Sequence, residues 1–225
     1  MTDRLVRAPD PLYRAHPWHG VSIGAAAPAV VSTYVEIVPT DTVKYELDKD
    51  AGILCIDRPQ MYSNVCPSLY GFIPQTLCAE RVAALCEERT GRSGIVGDGD
   101  PMDICVLTEK TVSHGDILVR AIPIGGLRML DGKEADDKLI AVLQGDGVFG
   151  RLNDISECPA TLLERLRHYF LTYKEAPDTS TRIVEITHVY GRAEAHELIR
   201  RSHLDYRAHF PELARRLEPA MGEAQ

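Results

Sequence analysis

The chain has 225 residues, 44% of them hydrophobic, with 33 acidic side chains against 25 Lys and Arg and a net charge of −8. This length and apolar share suit one generous domain whose core needs no disulfide or structural metal. The negative balance argues against a general nucleic-acid or anionic-membrane binder while permitting a small basic pocket, and no apolar run reaches membrane-spanning length. Six cysteines occur without Cys-x-x-Cys or zinc spacing, and no basic-then-apolar leader opens the chain, so a reducing cytoplasm is the expected compartment.

Residues 1–33 read as an extended arm, punctuated by Pro11, Pro17 and the Ala-rich stretch before Pro28, with Trp18 as its packing residue. Residues 34–215 read as a single domain and 216–225 as a tail. Short β-rich runs at 34–38, 43–47, 53–56, 104–107, 117–122 and 139–143 predict strands. Breaks are expected at Pro39–Asp41, Asp50–Gly52 and Gly125–Gly126. Between strands, Val82, Leu85 and Cys86 recur at helical spacing over 78–89, followed by a glycine-rich loop to Gly97. A second helix begins near Pro159 and carries Leu162, Leu166, Phe170 and Tyr173 on one stripe. A third runs from about Arg192 to Phe210, and its Arg and His content predicts a solvent-exposed helix. Short strands followed by helices predict an α+β fold, a small barrel with two or three helices packed outside.

The densest chemistry is Asp98-Gly-Asp-Pro-Met-Asp103, with three carboxylates in six positions. Two carboxylates about 5 Å apart repel by roughly 3 kcal/mol at an effective dielectric near 20. Raised pKa values or bound cations relieve that repulsion. Gly99 and Pro101 make the segment a stiff turn, and hard oxygen donors on a rigid turn suit Mg²⁺ or Mn²⁺. Alone, the motif reads equally well as an acidic turn before a strand. In Val43-Lys-Tyr-Glu-Leu47, alternation puts Lys44, Glu46 and Asp48 on one face, which by itself reads as a solvated face. Glu36 alternates with Val35 and Ile37 in the same way. Asp131 to Lys138 reads alone as a charged hairpin loop, and Tyr173-Lys174 as a helix end with its cation near the C-terminus.

In order, Glu36, Lys44-Tyr-Glu46, Asp57-Arg58, Leu69-Tyr-Gly-Phe-Ile73, the acidic hexapeptide, Asp131-x₄-Asp136-x-Lys138 and Tyr173-Lys174 resemble the family I soluble inorganic pyrophosphatases over about residues 34–174. The resemblance implies a small closed five-stranded barrel of the oligonucleotide-binding type and Mg²⁺-dependent hydrolysis of pyrophosphate to two phosphates by a metal-activated bridging hydroxide, with Mn²⁺ as a substitute ion. It implies Asp98, Asp103, Asp131 and Asp136 as metal ligands, supported by Glu36 and Glu46. Asp100 matches the general base, while Lys44, Arg58, Tyr70, Lys138, Tyr173 and Lys174 match phosphate-binding positions, Tyr70 and Lys138 also serving the reaction. It further implies a homo-oligomer with no nucleic-acid or membrane partner.

Two departures stand out. Cys66 occupies a position where compact bacterial members commonly carry a tyrosine near the phosphate, with Tyr62 as a nearby substitute. The 78–97 insertion reads as decoration or as a subunit interface. Three competing readings weigh less. A nucleotide phosphohydrolase needs a base pocket with no clear candidate here, and a Ca²⁺ loop lacks its pair of flanking helices. A nucleic-acid barrel of the same architecture conflicts with the acids on the strand face.

Overall fold

A computed structural model of the chain describes residues 14–61, 63–174 and 184–217, without the side chains of 215–217. Tyr62 and residues 1–13 therefore lie outside the described residues, as does the tail beyond 217. In chain order the elements are β1 (Val31–Ile37), β2 (Val43–Leu47), β3 (Leu54–Pro59), β4 (Leu69–Phe72), α1 (Glu80–Thr90), β5 (Val96–Gly97), β6 (Asp103–Leu107), β7 (Ile117–Asp131), β8 (Glu134–Ala135), β9 (Lys138–Leu143), α2 (Ala160–Thr172), β10 (Val184–Gly191), α3 (Arg192–His209) and α4 (Pro211–Leu217).

Five strands close into a ring. β1 pairs antiparallel with β4, β4 with β6, β6 runs parallel to β9, β9 pairs antiparallel with β7, and β7 returns antiparallel to β1. This is the small α+β barrel that the strand texture predicts. β2 and β3 form a separate two-stranded hairpin. Alternation divides the apolar side chains between two cores. Ile104, Val106, Leu139 and Ala141 face the core completed by α1 and α3. Cys105, Leu107, Ile140 and Val142 face the one completed by Leu166, Tyr169 and Phe170 of α2.

Several expectations change. β7 is 15 residues long and runs through Gly125–Gly126, where a break was expected. A Cβ at Gly125 would lie 2.4 Å from the Tyr190 carbonyl oxygen, and one at Gly126 2.4 Å from the Tyr190 hydroxyl. These glycines admit β10, which pairs along residues 125–131 and has no counterpart in the predicted elements. Among the described residues there are four α-helices, one more than the upper expectation, because Pro211 starts a short helix as well as ending α3. α3 is not mainly solvent-exposed: Ala195, Leu198, Ile199, Ser202, Asp205 and Tyr206 are buried.

Asp205 explains how the 78–97 insertion is held. Ala79, before α1, has no side chain to cap the helix. Instead the Asp205 carboxylate accepts the N–H groups of Ala79, Arg81 and Val82 at 3.0–3.2 Å from across the fold. Arg201 adds a two-pronged contact to Glu88 at 3.0 and 3.1 Å. Leu85 and Cys86 of α1 are fully buried, so the insertion is part of the core rather than decoration. All six cysteines are free thiols, and only Cys55 is exposed. No described helix is long and apolar enough to cross a membrane.

Candidate active site

The acidic turn is shaped by its own backbone. Gly99 takes φ of 78°, a left-handed conformation that a side chain would strain. The turn lets Asp98 Oδ1 accept the Asp100 N–H at 2.8 Å. The insertion grips it from behind: the Cys78 N–H donates to the Asp100 carbonyl at 2.8 Å, and the Gly99 N–H to the Cys78 carbonyl at 3.0 Å. Asp103 then begins β6 opposite Phe72, with Tyr70 two residues away on β4. The Tyr70 hydroxyl donates to Asp103 Oδ2 at 2.6 Å. Lys138, at the start of β9, bridges Asp103 and Asp136 with one ammonium group.

The other wall comes from β1, the hairpin and the end of α2. Glu36 is buried, and its Oε1 accepts the Leu47 N–H at 2.8 Å, fastening β1 to the hairpin. Lys44 contacts Glu46 and lies 2.9 Å from Asp57. Six carboxylates and four lysines line one cleft, with Tyr70 and Tyr173 among them. Of the thirteen candidate site residues, eleven belong to this lining: Glu36, Lys44, Glu46, Tyr70, Asp98, Asp100, Asp103, Asp136, Lys138, Tyr173 and Lys174. Arg58 and Asp131 stand at the rim instead. The Arg58 guanidinium lies 5.9 Å from the centre of the Tyr173 ring. Asp131 accepts from Lys174 Nζ at 2.6 Å.

Two cleft residues carry no signal in the sequence. Trp18 reaches the wall from the arm, and Lys49 contacts the Asp100 carboxylate. Lys49 lies just past the end of β2, where the alternation that singles out Lys44 and Glu46 stops. His16 Nε2 sits 3.0 Å from the Lys49 carbonyl oxygen, which ties that loop to the arm. Cys66 is fully buried and does not line the cleft.

The charge arrangement is unbalanced where it is most buried. Loss of solvent raises the Glu36 carboxyl to about 8, with the Asp103 and Glu46 charges adding to the rise. Burial likewise lifts Asp98 to about 8, helped by Asp136 and Asp103. Asp136 is also raised by burial, against the pull of Lys138. Lys138 is fully buried, a condition that favours the neutral amine, yet Asp103 and Asp136 hold it well above the ordinary lysine value. Among the described residues, no three His, Cys, Asp or Glu side chains are grouped tightly enough to hold an ion as they stand. Lysines and peptide N–H groups engage the carboxylates. The donor set is nonetheless all oxygen, buried and mutually repelling, which fits a hard divalent cation and not a thiophilic one.

A family profile described as inorganic pyrophosphatase matches residues 33–207. The chain is 50% identical over 200 residues to an inorganic pyrophosphatase of Chlamydia trachomatis, covering 87% of this chain and 96% of that protein. The chain belongs to the family I soluble inorganic pyrophosphatases. Membership makes it an enzyme, an inorganic diphosphatase. A soluble inorganic pyrophosphatase of Oryza sativa is 43% identical over 161 residues, 72% of this chain and 66% of that protein. The crystal structure of the Thermus thermophilus inorganic pyrophosphatase is 30% identical and superposes with a TM-score of 0.71, covering 86% of this chain and 99% of the other.

Proposed function

We propose that this enzyme hydrolyses inorganic pyrophosphate to two phosphates with Mg²⁺ as its ion and Mn²⁺ as a substitute. The observation that carries the reading is the single cleft in which eleven candidate residues from five strands, two turns and the end of α2 meet. A small, highly charged anion is repelled by so many carboxylates unless cations stand between them. Asp98, Asp103 and Asp136 on the cleft wall and Asp131 at the rim would hold Mg²⁺, with Glu36 and Glu46 supporting them. When bound, the ions neutralise the diphosphate and acidify water enough to supply hydroxide near neutral pH.

The chain's own residues do the rest. Asp100, half-buried on the acidic turn, accepts the proton of the attacking water. Lys44, Lys138 and Lys174 meet phosphate oxygens as point charges, and Arg58 offers a two-pronged fork from the rim. The Tyr70 and Tyr173 hydroxyls add neutral donors. Phosphoryl transfer asks mainly for such positioning and charge stabilisation in line with the leaving phosphate. Residues 34–215 would act as one catalytic domain, with the arm preceding 34 closing a wall through Trp18. The enzyme would work as a homo-oligomer in the cytoplasm, where its six free thiols stay reduced.

Phosphate release from pyrophosphate with Mg²⁺, with a chelator, and with ATP as competitor tests the reading. Asp100→Asn should still bind Mn²⁺ but hydrolyse roughly 10²–10⁴-fold more slowly, the usual share of general-base catalysis. Wild-type turnover by Asp100→Asn removes the base assignment, and equal turnover of ATP and pyrophosphate points to a broader phosphohydrolase.

A further inference from the structure

Behind the cleft lies a buried charge network that the proposed chemistry does not use. Arg128, in the middle of β7, is completely buried, and so is the Asp137 side chain it contacts. The pairs Leu130–Ala135 and Leu127–Lys138 on either side set Arg128 directly opposite Asp137 across the strands. Asp137 uses both oxygens: one meets the Arg128 guanidinium, and the other accepts the Met129 N–H at 3.1 Å. The neighbouring Asp136 N–H donates to the Met129 carbonyl at 3.0 Å. The second prong of Arg128 reaches Glu194 in the first turn of α3 at 2.6 Å, and Arg89 from the last turn of α1 stands 3.6 Å from the same carboxylate.

A buried ion pair is a poor source of stability, since an apolar pair of similar volume does as well or better. Here the cost is visible, because Arg128 Nε has no hydrogen-bond partner among the described residues. What the pair supplies is register. The local sequence is Asp136-Asp137-Lys138, so the acids alone do not say which carboxylate faces the cleft. A slip of one residue would put Asp137 in place of Asp136 and turn Lys138 away. Only one of the two aspartates can meet the fixed guanidinium on the far face of the sheet. We infer that Arg128 and Asp137 are positioning residues that select the strand register in which Asp136 and Lys138 face the cleft. Glu194 and Arg89 extend the lock to α3 and the inserted α1. This inference rests on the reading of Asp136 as a metal ligand.

The test is titration calorimetry of the full-length protein with Mn²⁺ alone, beside melting temperatures, for Asp137→Asn, the double variant Arg128→Met/Asp137→Leu, and Asp136→Asn. Asp137→Asn should bind Mn²⁺ about tenfold or more weakly, the range typical for residues that orient metal ligands. The double variant removes both buried charges and should melt no lower than the native protein, yet still bind Mn²⁺ about tenfold more weakly. A double variant with native melting and native Mn²⁺ affinity would reduce the pair to a structural element and overturn the inference. Native affinity in a folded Asp137→Asn does the same. Should Asp137→Asn fail to fold, the double variant decides. Native affinity in Asp136→Asn instead overturns the metal reading, and this inference with it.

Discussion

Replacing Trp18 by alanine probes whether the segment before residue 34 is an arm or a part of the folded core. Trp18 is 4% exposed, and its ring packs against Tyr206 and Phe210, 6.4 and 5.6 Å away between centres, with His19 stacked at 4.4 Å. Its indole N–H donates to the Thr76 carbonyl at 2.8 Å, on the segment that leads into the insertion. A buried tryptophan removes roughly 150–250 Å² from water, worth about 4–6 kcal/mol at ~25 cal/mol per Å². The indole hydrogen bond adds about 1 kcal/mol. Unfolded chains already bury roughly 10–40% of such surface, so the expected loss for Trp18→Ala is about 3–5 kcal/mol, in line with other Trp→Ala changes in cores. For a chain of this size that corresponds to a fall in melting temperature of roughly 6–20 °C. Urea unfolding followed by far-ultraviolet circular dichroism gives the free energy directly, and Trp18→Phe should recover part of it. A loss below about 1 kcal/mol would mean that the aromatic cluster is not a cooperative part of the domain, and the packing argument would be wrong.

Two further predictions concern protons. Glu36 and Asp98 have carboxyls raised to about 8, so the metal-free fold binds protons more tightly than the unfolded chain does. Its stability should therefore fall as pH rises from about 4 to about 8, and added Mn²⁺ should restore it. Calorimetry at neutral pH in buffers of different ionisation enthalpy should register proton release on Mn²⁺ binding; a metal-free melting temperature that climbs over this range contradicts the argument. The second prediction has the opposite sign. Desolvation opposes the shift at Asp146, yet hydrogen bonds from the Thr108 hydroxyl and the N–H groups of Phe149, Glu109 and Val148 bring its carboxyl down to about 2. Its stabilisation is present above about pH 4 and is lost as pH falls towards about 2. The melting-temperature gap between the native protein and Asp146→Asn should narrow over that interval, and a gap of constant width would refute it.

What the sequence by itself determined is whatever depends on neighbours along the chain. Short apolar runs located β6 and β9, alternation set Lys44 and Glu46 on one side of β2, and helical spacing located α1 and α2. The ordered motifs named the residues that gather in the cleft, because a strand or a tight turn fixes where consecutive side chains point. Tertiary structure alone decided the rest. The residues of β10, Val184-Glu-Ile-Thr-His-Val-Tyr-Gly191, are ordinary strand formers, but where that strand pairs was decided by Gly125 and Gly126, which leave room for it against β7. α3 reads as a solvated helix until Asp205 is seen capping α1. Trp18 and Lys49 enter the cleft through contacts between segments far apart in the chain, and Asp137 looks like one more acid in a charged loop until Arg128 stands opposite it. The physical reason is the same in each case: burial, and the partner a buried charge requires, are properties of the closed barrel and are absent from any short stretch of chain.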